Sequence, residues 1–434
     1  VLEVRHPASF PAERAYALEV VLGEWLGLEF AARAQERADV EIVMAADPEG
    51  PRLTLPDVLF ATAPEAWLTE ASLPRRPLAR RAEGDLPVLY GTAEDPDVFG
   101  SVFFALTRYE EVVRPERDEH ERFPSAATLA RAEGFLHRPV VDEYVDVLWA
   151  ALRERWPRLE RARHDYRVAL SHDVDWPFPE ARGAAARLRS AAGDAVRRRS
   201  PGLALARLRG HNVNDTFDFL MDQGERRGLT GAFYFMAGRT DPRYDGDYSL
   251  QDRWIAALLR RVDERGHEIG LHPSYRTFRD PEALRAELER LRGACAAAGV
   301  RQEPRGGRQH FLRWENPATW RAWAQAGLEY DASLGFSDVA GFRCGTSREY
   351  PVFDLLARER LPLRERPLVV MEQAIVAPRP GAVAEAVAPL AAACRRAGSD
   401  LSLLWHNSSL QTAAERRAYA AALDAAIGTS AGPG

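Results

Sequence analysis

Apolar and polar positions along this chain fall into two regimes that meet near residue 163. Before it, helical spacing dominates. Residues 12–26, 97–109 and 140–156 carry apolar side chains three and four apart, which predicts amphipathic helices, the last closed by Pro157. Short apolar runs at 41–44 and 58–60 predict strands. From Tyr166 the pattern becomes short buried runs alternating with helical stretches, as in parallel α/β structure. Strands are predicted at 168–175, 231–235, 268–271, 329–332, 368–371 and 401–405. The helices between them carry start signals: Asp215, Ser249 with Asp252 as a capping box, Asp280 followed by Pro281, and Asn316 followed by Pro317. The polar stretch 161–165 sets the boundary between a smaller N-terminal α/β accessory domain, 1–163, and a second domain, 164–434.

Polar residues recur just after these strands: Asp173, Asp175, His272, Glu372 and His406. On a barrel those positions face one rim, where α/β enzymes gather their chemistry. Carboxylate and neutral imidazole are the usual ligands of a hydrolytic zinc site with an open position. Asp175 and His272 are the first two candidates, and His310 or Asp173 the third. A second carboxylate beside a ligand suits a general base, and His406 suits a general acid because imidazole titrates near neutrality. Arg308 is a candidate to orient the base. Trp176, Tyr275, Phe311 and Trp314 either stack on a substrate ring or pack in the core. Arg343 either binds a substrate anion or pairs with Asp331. His172 alternates away from Asp173 along its strand and is left out of the site, and His267 reads as structural.

Composition narrows the choices. Of 434 residues 46% are hydrophobic and 28% charged, ordinary for a globular chain, and the net charge of −6 gives no reason to expect nucleic acid. No run of about eighteen apolar residues predicts a membrane span. No secretory leader pattern is read, and the three cysteines are few and widely spaced, so the expected setting is the reducing cytoplasm. All 58 basic residues are arginine, which excludes Schiff-base and phosphate-loop lysine chemistry. Two arginine-bearing segments have a bland and a sharp reading. The charged stretch 117–124 reads as a solvated loop, or else as a loop that touches substrate. The insert 177–214, with the arginine run 197–199, reads as a solvated helix and loop, or else as a lip over an anionic or sugar substrate.

Four stretches resemble the motifs of the polysaccharide deacetylases of carbohydrate esterase family 4. Leu-Ser-His-Asp-Val-Asp at 170–175 stands where that family has a Thr-Phe-Asp-Asp-Gly type motif. Gly-His-Glu-Ile-Gly-Leu-His at 266–272 resembles its Gly-His-Glu-Ile-Gly-x-His stretch. Arg-Gln-His-Phe-Leu at 308–312 stands where it has Arg-Pro-Pro-Tyr-Gly, and Leu-Leu-Trp-His at 403–406 resembles its last motif. The likeness spans about 165–427, and 1–160 resembles the α/β domain preceding a divergent branch of the family. It implies an α/β fold, a distorted (β/α)7-type barrel catalytic domain preceded by a smaller α/β domain. It further implies a hydrolase of a carbon–nitrogen, non-peptide bond that removes an N-acetyl group from an amino sugar or sugar-containing substrate. Asp173 would be the general base, Arg308 its partner, His406 the general acid and His272 a ligand of a divalent metal, zinc first. The partner would be a carbohydrate or an N-acetylated small molecule; oligomeric state is left open.

Two positions depart from the family pattern. Val174 falls where the family has its metal-binding Asp, with Asp175 one place later, and Arg276 falls where it has its second metal histidine. Three states follow: a rearranged Asp175, His272 and His310 site, a weakened metal site, or no metal. The alternatives to the metal-dependent deacetylase are therefore a metal-free hydrolase of a small amide on the same barrel, and a non-catalytic carbohydrate-binding protein.

Overall fold

A computed structural model describes residues 1–178, 184–196, 198, 200–375 and 381–428. Two sheets carry the architecture. The first, ordered β2-β1-β3-β4, comprises β1 (Leu2–His6), β2 (Phe30–Ala34), β3 (Asp39–Met44) and β4 (Asp47–Pro56). Only the β1–β2 pair is parallel. A short antiparallel pair follows, β5 (Ala79–Arg81) and β6 (Leu86–Val88). The second sheet has nine strands: β7 (Val168–Val174), β8 (Gly231–Met236), β9 (Glu268–His272), β10 (Gly306–Gly307), β11 (Tyr330–Asp331), β12 (Tyr350–Asp354), β13 (Glu359–Glu365), β14 (Val370–Met371) and β15 (Leu401–Leu404). Its order is β12-β13-β11-β10-β9-β8-β7-β15-β14, parallel throughout except for the β12–β13 hairpin. Among the described residues no pairing joins β14 to β12, so hydrogen bonds do not close the barrel expected from the sequence.

Local chemistry accounts for these elements. β8 (Gly-Ala-Phe-Tyr-Phe-Met) is buried at every position, as a strand covered on both faces must be. Between β9 and β10 the backbones approach so closely that a Cβ at Gly307 would lie 1.8 Å from the Leu271 carbonyl oxygen, so the strand order there requires glycine. The helix Pro281–Ala298 begins where Asp280 accepts from the backbone N–H groups of Glu282 and Ala283, and ends at Gly299 in the left-handed conformation. Asp252, not Ser249, caps the helix Arg253–Glu264, accepting from Trp254 N. Residues 58–60 are not a strand: the Asp97 carboxylate takes the N–H groups of Val58 and Leu59, and Leu59–Ala61 closes into a 3-10 turn.

Buried polar contacts tie the two sheets' surroundings together. Tyr16 Oη donates to Pro351 O at 2.7 Å, Val141 N to Gly345 O at 2.9 Å, and Arg343 forms a fork with Glu111 at 2.9 and 2.6 Å. No helix among the described residues is long and apolar enough to cross a membrane. In the insert, Arg207 is fixed by Asp194 at 2.5 Å and Gln411 at 2.9 Å, while Arg197 and Arg199 lie outside the described residues.

Candidate active site

The C-terminal ends of β7, β9 and β15 and the segment after β10 deliver their polar side chains to one cavity of about 210 Å³. Asp173, Asp175, His272, His310 and His406 line it. Asp173 and Asp175 face the same way because side chains alternate along a strand, which sends the intervening Val174 into the core. A Cβ at Gly246 would lie 2.1 Å from the Asp175 carbonyl oxygen, so glycine there lets the loop carrying Tyr244 and Asp245 press against the end of β7.

Three ligating atoms converge. His272 Nε2 lies 2.9 Å from His310 Nδ1 and 3.0 Å from Asp175 Oδ1, and His310 Nδ1 lies 3.6 Å from the same oxygen. Backbone carbonyls fix both imidazole tautomers. His272 Nδ1 faces Arg308 O at 2.6 Å and His310 Nε2 faces Tyr244 O at 3.0 Å. A carbonyl oxygen only accepts, so each of those nitrogens carries a proton, and in the neutral rings the two opposed nitrogens present lone pairs to each other. Asp175 Oδ1 is buried and accepts no aligned hydrogen bond despite its nearness to His272. Two facing lone pairs and an orphaned carboxylate oxygen are what a bound cation would satisfy, and these residues together form a possible metal site. Burial alone would raise the Asp175 carboxyl, but His310, His272 and His406 hold it below the usual carboxylate range. Burial lowers His310 below the usual imidazole range, against the pull of Asp175.

Beside this trio stands a second set. Arg308 is fully buried and donates to Asp173 Oδ1 at 2.8 Å, to Ser171 Oγ at 3.0 Å and to Ala332 O at 2.9 Å. Asp173 Oδ2 is 3.9 Å from both His272 Nε2 and His406 Nε2. His406 donates from Nδ1 to Glu372 Oε1 at 2.6 Å, and its Nε2 is 3.5 Å from Asp175 Oδ2. Burial opposes charge on His406, yet Glu372 outweighs it and His406 is pushed up to about 10. Glu372, noted in the sequence only as a strand-end acid, thus orients and charges this histidine. Leu312, Leu368, Met371 and Leu404 form an apolar cluster next to these groups. Phe311 and Leu312 both have left-handed backbones, with φ of 60° and 54°, a costly conformation of the kind that gathers at functional sites.

The remaining sequence candidates lie elsewhere. Trp314 is buried and packs edge-on to Trp320 at 4.7 Å, and Arg343 is locked to Glu111, not Asp331; neither lines the cavity. Their bulk and charge are taken up by the core behind the site. Tyr275 also stays off the lining. Its hydroxyl bonds His120 Nδ1 at 2.9 Å and its ring stacks on Tyr244 at 4.3 Å, so it backs the wall. The Trp176 side chain is off the lining too; its carbonyl accepts from Asn214 and Asn407. Arg276 pairs with Asp241 at 2.7 Å with its side chain 67% exposed, clear of the three ligating atoms. His172 lies away from the cavity, with Nδ1 on Trp405 O. The sequence did not single out Asp245, which ties together the loop supplying the Tyr244 carbonyl, gave Glu372 no role beyond a strand-end acid, and offered the lining residues His120 and Arg122 only within the stretch 117–124.

Residues 2–157 match the model of a family described as a family of unknown function (DUF7033). No curated protein matches the chain. Among solved structures, the chain is similar to a putative polysaccharide deacetylase from Mycobacterium smegmatis, with 16% identity, a TM-score of 0.40, and 62% of this chain and 86% of that one covered. It is also similar to Puue allantoinase, with 11% identity, a TM-score of 0.37, and 61% and 85% covered.

Proposed function

We propose that this protein is a metal-dependent amide hydrolase that removes an N-acetyl group from an amino sugar or another N-acetylated amine, and that 164–434 is its catalytic domain. The observation that carries the reading is the convergence of His272 Nε2, His310 Nδ1 and the orphaned Asp175 Oδ1 beside Asp173 and His406. A divalent ion held by these three residues, zinc first by its ligand preference, supplies Lewis acidity towards a carbonyl oxygen and a lowered pKa for water.

The chain's own groups do the proton work. Asp173, fixed through Oδ1 by Arg308, takes a proton from the attacking water at Oδ2. His406, charged through Glu372, gives its Nε2 proton to the departing nitrogen. Water's oxygen ends on the acyl carbon, the C–N bond breaks, and acetate and amine leave. The apolar cluster of Leu312, Met371 and Leu404 suits the acyl methyl.

The test is acetate release from N-acetylated amines by metal-loaded protein. Asp173→Asn and His406→Gln are each expected to lower kcat by about 10²–10⁴-fold with metal retained. Ligand binding without acetate release, unchanged in both variants, would instead identify a binding protein.

A further inference from the structure

Two residues of the cavity wall come from the charged stretch 117–124, far from the strand ends in sequence. His120 and Arg122 line the cavity together with the catalytic groups. Their segment is pinned from several sides. Asp118 accepts from the backbone of His120 at 2.8 Å and of Arg122 at 2.9 Å. Arg313 donates to His120 O at 2.9 Å and pairs with Glu121. Arg122 donates from Nη1 to Phe311 O at 2.8 Å and from Nε to Asp118 at 2.8 Å. A solvated loop would carry none of these long-range bonds.

Both lining side chains keep polar atoms unpaired. Among the described residues, Arg122 Nη2 and His120 Nε2 have no hydrogen-bond partner, and the nearest carboxylate to His120 Nε2 is that of exposed Glu119 at 3.7 Å. Both side chains are largely withdrawn from solvent, at 18% and 13% exposure. A guanidinium held in place with spare N–H groups at a cavity wall is built to receive an anion. Among the described residues the lining offers no second arginine: Arg308 is sealed behind Asp173. The cavity is also smaller than the roughly 300–1,000 Å³ of most ligand sites, so a bound anion sits within a few bonds of the reacting carbonyl.

We infer that Arg122, assisted by His120, selects N-acylated amines that carry an anionic group close to the amide, so that a loop from the first 157 residues sets the specificity of the site. This rests on the amide-hydrolase reading above. Such an anion belongs either to an acidic amino sugar or to an acylated amino acid.

The experiment measures equilibrium binding by calorimetry for two pairs of probes, with metal and with chelator. The pairs are N-acetylmuramic acid against N-acetylglucosamine, and N-acetylglycine against its primary amide. In at least one pair the acid is expected to bind about tenfold or more tighter, the discrimination a charged hydrogen-bonded contact gives. The pair that shows it names the source of the anion. Arg122→Gln is expected to bring acid and neutral probe within about twofold, with metal content and thermal midpoint unchanged, and Arg122→Lys to retain part of the preference. If Arg122→Gln lowers the thermal midpoint, Arg122→Lys is read alone and is expected to weaken acid binding about three- to tenfold. Equal binding of acid and neutral probes overturns the inference. So does a preference that survives both variants, because the anion would then be held elsewhere. Acid-selective binding with no acetate released from any probe would leave the recognition standing and remove the hydrolase reading. Acetate release indifferent to charge would do the reverse.

Discussion

Removing the Arg308 guanidinium together with its partner Asp173 should cost clearly less than the two single losses added together. Arg308 and Asp173 are 2% and 3% exposed, with Nη1 and Oδ1 at 2.8 Å. Arg308→Met keeps the stem but leaves the Asp173 carboxylate buried without its cation, which costs about 3–5 kcal/mol. Asp173→Asn leaves the guanidinium its bonds to Ala332 O and Ser171 Oγ and loses one charge-assisted bond, about 1.5–3 kcal/mol. In the double variant no charge is stranded, so its loss should fall short of the sum of the single losses by about 1.5–3 kcal/mol. The assay is urea denaturation of all four proteins in chelator, so that metal linkage does not enter. Single losses that add to within about 0.5 kcal/mol would refute the buried ion pair, and with it the fixed orientation of Asp173.

Other parts of the fold give further expected outcomes. His172 is lowered to about 3 by burial, with its hydrogen bond to Trp405 O opposing. Its folded value is below the unfolded value of about 6.5, so its contribution is complete above pH 6.5 and is lost as pH falls towards 3, about 2 kcal/mol of it by pH 5. His172→Asn, which keeps a donor for Trp405 O, should therefore lose less stability between pH 7 and 5 than wild type in denaturant titrations; equal losses would contradict the assignment. Cys295, Cys344 and Cys394 are buried, and burial pushes each thiol up to about 12, so native protein should resist a thiol reagent and all three should react after unfolding.

The parts of the fold legible in the sequence are those whose signals are local. β7, β8, β9 and β15 are apolar runs, all but β8 leading into an acid or a histidine, and periodicity places each to within a residue or so. β10 and β11 are two residues long and exist through their neighbours, so β10 left no pattern and β11 was read too long. The run at 58–60 has strand composition but loses its backbone donors to Asp97, a contact 38 and 39 positions distant. The site divides the same way. Asp173, Asp175, His272 and His406 follow from strand ends, and His310 from the search for a third ligand, where it stands beside Asp173 as an alternative. Trp314 and Arg343 have the composition of ligand-binding residues but are committed to Trp320 and Glu111, which no local spacing shows. His120 and Arg122 looked solvated because their anchors, Phe311 and Arg313, are about 190 positions away. The available hint was a histidine and an arginine next to Phe123 within a highly charged loop.

The most direct measurement is metal content per chain by elemental analysis, for wild type, Asp175→Asn, His272→Ala, His310→Ala and Arg276→Ala. About one divalent ion is expected in wild type and in Arg276→Ala, and its loss from the other three, because among the described residues it is Asp175, His272 and His310 whose ligand atoms converge there. Wild-type protein that holds no ion after reloading with zinc, cobalt or nickel, or a His310→Ala variant that keeps it fully, would contradict this expectation.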